Sequence, residues 1–132
     1  TGQVPQGKRV ISAKVAQQMR AIMTTVTEAG GSGRRGAVQG FKVAGKSGTA
    51  RKIIDGHYSN RDHLAMFAGY APADNPRLIV AVVIDRPTEN GYYGGVVAAP
   101  AFSEIMSNAL TILGIAPQEG LDESEQKTKK AQ

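Results

Sequence analysis

The sequence contains no cysteine and no tryptophan, and its aromatic side chains are limited to three Phe and four Tyr. Without cysteine, disulfides and thiolate metal sites are excluded, although this composition does not fix the cellular compartment. The scarcity of aromatic rings disfavours stacking on nucleic-acid bases, and no nucleic-acid-binding motif is present. We therefore expect no nucleic-acid partner.

Long apolar segments are also missing. The longest unbroken apolar run, residues 78–84, has seven residues, which is too short to span a bilayer. The first residues are polar, lack a starting Met and carry no signal-peptide pattern. We interpret this beginning as a cut inside a longer protein, and the length of 132 residues as one domain or part of one.

The charge that is present is mostly positive, with a net charge of +5 and a pI near 9.7. Such a balance favours anionic partners. The stretch between residues 34 and 54 contains no acid but six basic residues, namely Arg34, Arg35, Lys42, Lys46, Arg51 and Lys52. This stretch predicts a site for a negatively charged ligand, although a basic edge strand would have the same composition.

Hydrophobic periodicity predicts a helix, three strands and a second helix. Ser12 is a candidate N-cap for an amphipathic helix over residues 12–28, and a flexible glycine-rich basic loop follows over residues 30–36. The three predicted strands are 41–54, 64–70 and 78–84, with a turn at Asp55-Gly56 between the first two. Their short connections favour an antiparallel meander, and the fully apolar third strand predicts cover on both faces.

The second amphipathic helix follows a loop at residues 90–95, with Pro100 in its first turn and Gly114 at its end. Both helices are expected to bury their apolar stripes on the sheet, which gives an α+β fold. Residues 118–132 are polar and charged, and we expect them to be a disordered tail. The predicted domain is therefore residues 1–117.

The tetrapeptide Lys46-Ser47-Gly48-Thr49 is the strongest candidate site. Side chains alternate on a strand, so Lys46 and Gly48 are expected on one face and the two hydroxyls on the other. The lysine supplies positive potential, the hydroxyls can bind an oxyanion or carboxylate, and the bare glycine allows close approach.

Two other patterns in the sequence allow different interpretations. Residues 40–47 fit the phosphate-binding G-x-x-x-x-G-K-[ST] motif, which leaves a P-loop nucleotide-binding protein as an alternative. That motif needs a preceding apolar strand and a helix beginning at Lys46-Ser47, and this sequence favours neither. His57 and His63 have no defined metal-ligand pattern around them, so we predict solvated loop histidines and no metal.

Lys46-Ser47-Gly48 is also a serine variant of the K-T-G motif of penicillin-binding proteins. Together with residues 43–51, 67–77, 92–95 and 98–102, it resembles the class B penicillin-binding proteins, particularly the division-specific septal transpeptidases of Gram-negative bacteria. The resemblance covers residues 11–117, the C-terminal part of the transpeptidase domain. It implies the fold shared by penicillin-binding transpeptidases and serine β-lactamases.

The resemblance also implies roles for individual residues. Lys46 would provide catalytic positive potential, and the Thr49 backbone N–H would be one oxyanion donor. The substrate carboxylate would be bound by Ser47 and Thr49 beside Gly48, and the cleft would be flanked by Tyr92 and Tyr93. His63 falls near another pocket-lining position.

The implied activity is that of a peptidoglycan D,D-transpeptidase, which acts through an acyl-serine and needs no metal or cofactor. The implied partners are stem peptides, β-lactams, a membrane glycosyltransferase and division proteins. The parent protein would face the periplasm from the inner membrane, anchored by an N-terminal helix.

The nucleophile motif of this family is not in a suitable place. S-x-x-K occurs only at residues 124–127, in the polar tail, and S-x-N does not occur. We therefore expect the nucleophile upstream of Thr1 and an inactive fragment, with a non-catalytic interaction module as a further alternative.

Overall fold

The computed structural model describes residues 7–89 and 91–118. Its main elements are α1 (Ala13–Thr24), β1 (Ala44–Ile54), β2 (His57–Ala71), β3 (Leu78–Asp85) and α2 (Gly94–Ile112). The predicted order and the α+β class are confirmed. The Ser12 N-cap is also confirmed, because its side chain accepts the N–H of Val15, and the end of the predicted helix is a 3₁₀ turn at Thr25–Thr27.

The sheet has the order β1-β2-β3, and both pairs are antiparallel. Asp55 and Gly56 have φ angles of 52° and 78°, as expected for the two-residue turn of a tight hairpin. β2 begins seven residues before the prediction, since polar residues from His57 onward pair with the end of β1. Strand pairing here overrides weak local strand propensity.

β1 begins at Ala44, three residues after the predicted start. A tight turn precedes it, in which the Phe41 N–H donates to the Val38 carbonyl and Gly40 has a φ of 77°. The Lys42 N–H then donates to the side chain of Gln118 at 2.8 Å and not to a strand.

The core lies between α2 and one face of the sheet. Phe102, Met106 and Leu110 of α2 are fully buried, and the Phe102 ring packs on Phe67 of β2 with a centroid distance of 4.8 Å. Burial of each such side chain stabilises the fold by about 1.5–3 kcal/mol. Within the described ranges, α2 alone is long and apolar enough to cross a membrane by those two criteria, but here its apolar face packs on the sheet.

The loop predicted to be flexible is packed against the core. Gly33 and Gly36 are buried, and a Cβ on either would lie within 3 Å of the Phe67 ring. Their lack of a side chain leaves room for that ring, so the glycines at these two positions reflect close packing, and the flexibility of the loop stays a prediction.

The start of α2 also differs from the prediction. Gly94 opens the helix, so part of the predicted loop is helical and Pro100 lies inside the helix. Proline has no N–H to give to the carbonyl four residues earlier. That carbonyl, on Val96, accepts instead from Nη1 of Arg35 at 3.3 Å, which makes an internal proline tolerable.

Two apolar surfaces expected to be covered are exposed. Ile79 and Val83, on the β3 face opposite α2, are 80% and 61% exposed. No residue of α1 is buried, and Ile22 in its apolar stripe is 60% exposed. Both predictions fail for the described chain because α2 covers only one sheet face, and α1 contacts the sheet at β1 without burying any of its own residues.

The predicted tail lies largely outside the described residues, which end at Gln118. Gln118 itself is held: its N–H donates to the Gly40 carbonyl at 2.8 Å and its side chain donates to Asp74 at 3.2 Å. The domain boundary at residue 117 stays a prediction.

Candidate active-site strand

Lys46 to Thr49 lie extended within β1. A P-loop needs a helix that starts at the lysine and presents backbone N–H groups to phosphate. Because β1 continues to Ile54 as a strand, the nucleotide-binding alternative is wrong.

The predicted alternation of side chains is present. Ser47 pairs with Phe67 and Thr49 with Ala65, and both partners are fully buried on the α2 side of the sheet. Partners in an antiparallel pair point to the same face. The two hydroxyls therefore share the face on which α2 packs, and Lys46 and Gly48 share the opposite face.

Both hydroxyls are held by groups distant in sequence. Ser47 Oγ lies 3.2 Å from Ser32 Oγ, and Thr49 Oγ1 accepts the N–H of Gly94 at 3.2 Å. Gly94 is the first residue of the 19-residue helix α2, whose N-terminus carries a partial positive charge. The hydroxyl pair thus lies beside a helix end that favours anions.

Lys46 is exposed, and its Nζ donates to the Ser47 carbonyl at 2.6 Å. Other cations of the basic stretch already have partners: Lys52 pairs with Asp85 at 2.6 Å, and Lys42 lies 3.8 Å from Asp74. The positive charge is therefore less concentrated than the sequence suggested, and Lys46 is the cation placed on the tetrapeptide itself.

A stack of three rings lies near the end of the same strand. His63, opposite Arg51 in the strand pair, stacks on Tyr92 with centroids 4.0 Å apart, and Tyr92 contacts Tyr93 at 4.6 Å. The hydrogen bond that Tyr92 donates to Tyr93 raises the pKa of the Tyr92 hydroxyl, while Arg51 opposes this effect.

The two histidines differ in environment. His63 is only 7% exposed, so its prediction as a solvated histidine was wrong, whereas His57 is exposed at the hairpin tip. In the part of the chain that the structure describes, no three His, Asp or Glu side chains cluster as a metal site would require.

Ser32 and Gly94 were not predicted as site residues. They are 15 and 45 residues from the hydroxyls that they contact. Gly94 lies within residues 92–95, which contribute to the family resemblance, but nothing in the sequence connects Ser32 to Ser47 or Gly94 to Thr49. The glycines on either side of Ser32 were the available signal, because they indicate close packing.

The described residues form at least two cavities. One, of about 480 Å³, lies between α1 and the turn before β1, and the other, of about 490 Å³, lies between the end of β3 and α2. Neither is lined by residues 46–49. β1 is at the edge of the three-stranded sheet, so the tetrapeptide lies on an edge strand of the described chain and borders neither of these two cavities.

Comparison with known families decides the classification. The family profile described as penicillin binding protein transpeptidase domain matches residues 1–107. The chain belongs to this family. Penicillin-binding transpeptidase domains also match in structure: the TP domain of Burkholderia pseudomallei penicillin-binding protein 3 superposes with a TM-score of 0.78 at 41% identity, over 87% of this chain and 35% of that one.

Two relatives in the transpeptidase family show what share of such a protein's length this chain covers. The probable peptidoglycan D,D-transpeptidase PenA of Neisseria flavescens is 58% identical over 89% of this chain and 29% of its own length. The peptidoglycan D,D-transpeptidase FtsI of Escherichia coli K12 is 40% identical over 84% of this chain and 19% of its own length. The chain thus spans less than a third of either relative.

Proposed function

We propose that this chain is the C-terminal part of the transpeptidase domain of a peptidoglycan D,D-transpeptidase and supplies the anion-binding strand of its active site. The observation that carries the proposal is the extended Lys46-Ser47-Gly48-Thr49 strand, with both hydroxyls on one face beside the N-terminus of α2. Membership of the family supports it.

The proposed reaction is acyl transfer through a serine ester. The serine oxygen bonds to the carbonyl carbon of the penultimate D-Ala, the peptide C–N bond breaks, and the terminal D-Ala leaves with a proton on its nitrogen. An amine of a second stem peptide then attacks the ester, which forms the cross-link and returns the proton to the serine.

Each residue of the strand has a role in this proposal. Ser47 and Thr49 bind the terminal carboxylate, and Lys46 supplies positive potential beside the nucleophile. The Thr49 N–H stabilises the oxyanion, a contact whose loss slows other acyl-transfer enzymes about 10²–10³-fold. Gly48 allows the peptide to approach, and Tyr92 and Tyr93 flank the bound acyl group.

The nucleophile is proposed to lie outside these 132 residues. Ser124-Glu125-Gln126-Lys127 is the one S-x-x-K present, and no S-x-N accompanies it. The fragment alone is accordingly proposed to be inactive.

The proposed setting is septal cell-wall synthesis at the periplasmic face of the inner membrane, with the parent anchored by an N-terminal helix. A membrane glycosyltransferase and division proteins would be its partners. β-Lactams would acylate the serine of the parent because they carry a carboxylate next to a reactive carbonyl.

The test uses the full-length protein and a fluorescent penicillin. We expect covalent labelling of the wild type and a labelling rate at least about tenfold lower for Lys46→Ala, the loss expected when a charge-assisted contact is removed. Lys42→Ala is the matched control, since Lys42 is exposed and lies just before β1, and it should label normally.

Two outcomes would overturn the proposal. If the wild type does not label at all, the parent lacks a functional nucleophile, which favours a non-catalytic interaction module. If Lys46→Ala labels as fast as Lys42→Ala, the tetrapeptide is not the anion-binding strand.

A further inference from the structure

The Ser32 side chain reaches the tetrapeptide from the glycine-rich loop. Its Oγ lies 3.2 Å from Ser47 Oγ, although the two serines are separated by the tight turn that precedes β1. This brings a third hydroxyl to the pair that the proposed function assigns to the substrate carboxylate.

The backbone holds Ser32 in this position. The Gly31 N–H donates to Glu28 at 3.0 Å and the Gly33 N–H donates to Val26 at 2.9 Å. The Ser32 carbonyl lies against Gly95 of α2, where an added Cβ would come within 1.9 Å of the carbonyl oxygen. The loop is thus wedged between helix and strand, and a side chain at Ser32 is preorganised.

The number of hydrogen bonds that each hydroxyl can donate and accept indicates a role for Ser32. A hydroxyl has one proton to donate and two lone pairs that accept. Thr49 accepts from the Gly94 N–H, so its own proton is not used in that bond. The hydroxyl proton of Ser47 is likewise unused only if Ser32 is the donor in the Ser32–Ser47 hydrogen bond.

We propose that Ser32 is a positioning residue that donates to Ser47 and thereby directs the Ser47 proton toward an anionic ligand. This inference rests on the proposed function. A bound carboxylate accepts hydrogen bonds and donates none, and hydrogen bonds to an ionised acceptor are about twice as strong as neutral ones. Ser47 therefore donates its hydrogen bond to the carboxylate, and Ser32 is the donor in the Ser32–Ser47 hydrogen bond.

In this arrangement Ser47 accepts a hydrogen bond from Ser32, and Thr49 accepts one from the Gly94 N–H. Each of the two hydroxyls can then donate its own hydrogen bond to the ligand. The arrangement selects a charged, acceptor-only group over its ester or amide. Ser32 thus contributes to recognition of the carboxylate without touching it.

The experiment compares benzylpenicillin with its methyl ester on the full-length protein, with acylation rates followed by intact-protein mass spectrometry. Ser32→Ala should lower the second-order rate constant for the free acid about tenfold, as expected for one hydrogen bond of about 1.4 kcal/mol. It should change the rate for the ester less than twofold, so the acid-to-ester ratio falls.

Three further variants separate positioning from packing. Ser32→Thr keeps the hydroxyl and should restore the ratio. Ser32→Ala in a Ser47→Ala background should leave the ratio of that background unchanged. Ser107→Ala, on the exposed surface of α2, is the control and should match the wild type.

The outcomes distinguish the two proposals. A wild type that benzylpenicillin does not acylate overturns the proposed function, and this inference with it. A wild type that is acylated, together with a Ser32→Ala variant whose two rates are unchanged or fall equally, overturns the positioning role alone.

Discussion

The ring of Tyr92 lies on the ring of His63, with centroids 4.0 Å apart and planes inclined by only 13°. His63 is on β2 and Tyr92 is two residues before α2, so the stack joins the sheet to the segment that leads into the helix. Because Gly94 then donates to Thr49, the position of the tyrosine segment is linked to the candidate hydroxyl pair.

The first prediction concerns the ionisation of Tyr92. Its hydroxyl donates to Tyr93 across 3.5 Å, and loss of the proton would remove this bond, which is why the pKa of Tyr92 is raised above the usual value near 10. Tyr93→Phe removes the largest cause, so the pKa of Tyr92 should fall. Titration of the tyrosine ¹³Cζ resonances by NMR measures it, with Tyr92→Phe used to assign the signal.

The sign of the linked pH dependence follows from this direction. A folded-state pKa above the unfolded value favours the neutral phenol, so the stabilisation is complete below pH 10 and is lost as pH rises through the higher folded-state pKa of Tyr92. A Tyr93→Phe variant with an unchanged or higher Tyr92 pKa would contradict the assignment of the cause.

The second prediction concerns Pro100 and Arg35. Arg35→Ala leaves the Val96 carbonyl without the guanidinium donor and should cost about 0.5–1.5 kcal/mol of unfolding free energy. In a Pro100→Ala background the new N–H can bond Val96 in the ordinary helical way, so Arg35→Ala should cost less. Urea unfolding of the four proteins measures the coupling, with Arg34→Ala as a neighbouring control.

Equal costs of Arg35→Ala in the two backgrounds would contradict this account. They would mean that the arginine stabilises the protein through another contact and that the carbonyl of Val96 does not depend on it.

The fold was predictable where local chemistry determines it. The Ser12 cap, the Asp55-Gly56 turn and the alternation along β1 depend on neighbours in sequence, and each is present. The early start of β2 and the internal position of Pro100 depend on distant partners, namely the end of β1 and Arg35. Periodicity carries no information about such partners.

The residues of the candidate site also fall into two groups, those predictable from local sequence and those placed by distant contacts. Lys46 to Thr49 were predictable from residue type and spacing, because a strand fixes which side chains share a face. Ser32 and Gly94 were not, since loop packing and the helix start bring them to Ser47 and Thr49.

The third prediction concerns the space around Phe67. A Cβ at Gly36 would lie 2.8 Å from the Phe67 ring, so Gly36→Ala should destabilise the protein by about 1–3 kcal/mol through overpacking. Leucine at position 67 is smaller and has no ring, so it should relieve the clash. Gly36→Ala should therefore lower the unfolding free energy less in a Phe67→Leu background than in the wild type. Thermal and urea unfolding measure both effects, and Gly7→Ala is the control because, among the described residues and apart from its chain neighbours, no atom lies within 4 Å of a Cβ added there.

The last prediction concerns Thr49 as a cap for α2. Tyr93, at the N-cap position, makes no side-chain capping bond, and the Gly94 N–H is satisfied by Thr49 Oγ1. Thr49→Val keeps the shape but removes the acceptor, so it should cost about 1 kcal/mol, the usual value of a capping bond. Thr49→Ser keeps the acceptor and should retain most of the stability.

Hydrogen exchange of the Gly94 amide locates the effect. Exchange should accelerate in Thr49→Val and stay near the wild-type rate in Thr49→Ser, because only the valine leaves that N–H without its acceptor. If both variants exchange at the wild-type rate, Thr49 does not cap α2, and its hydroxyl is then free to serve the ligand without any coupling to the helix. Faster exchange in the valine variant alone would instead mean that one oxygen atom both fixes the start of the helix and belongs to the candidate site.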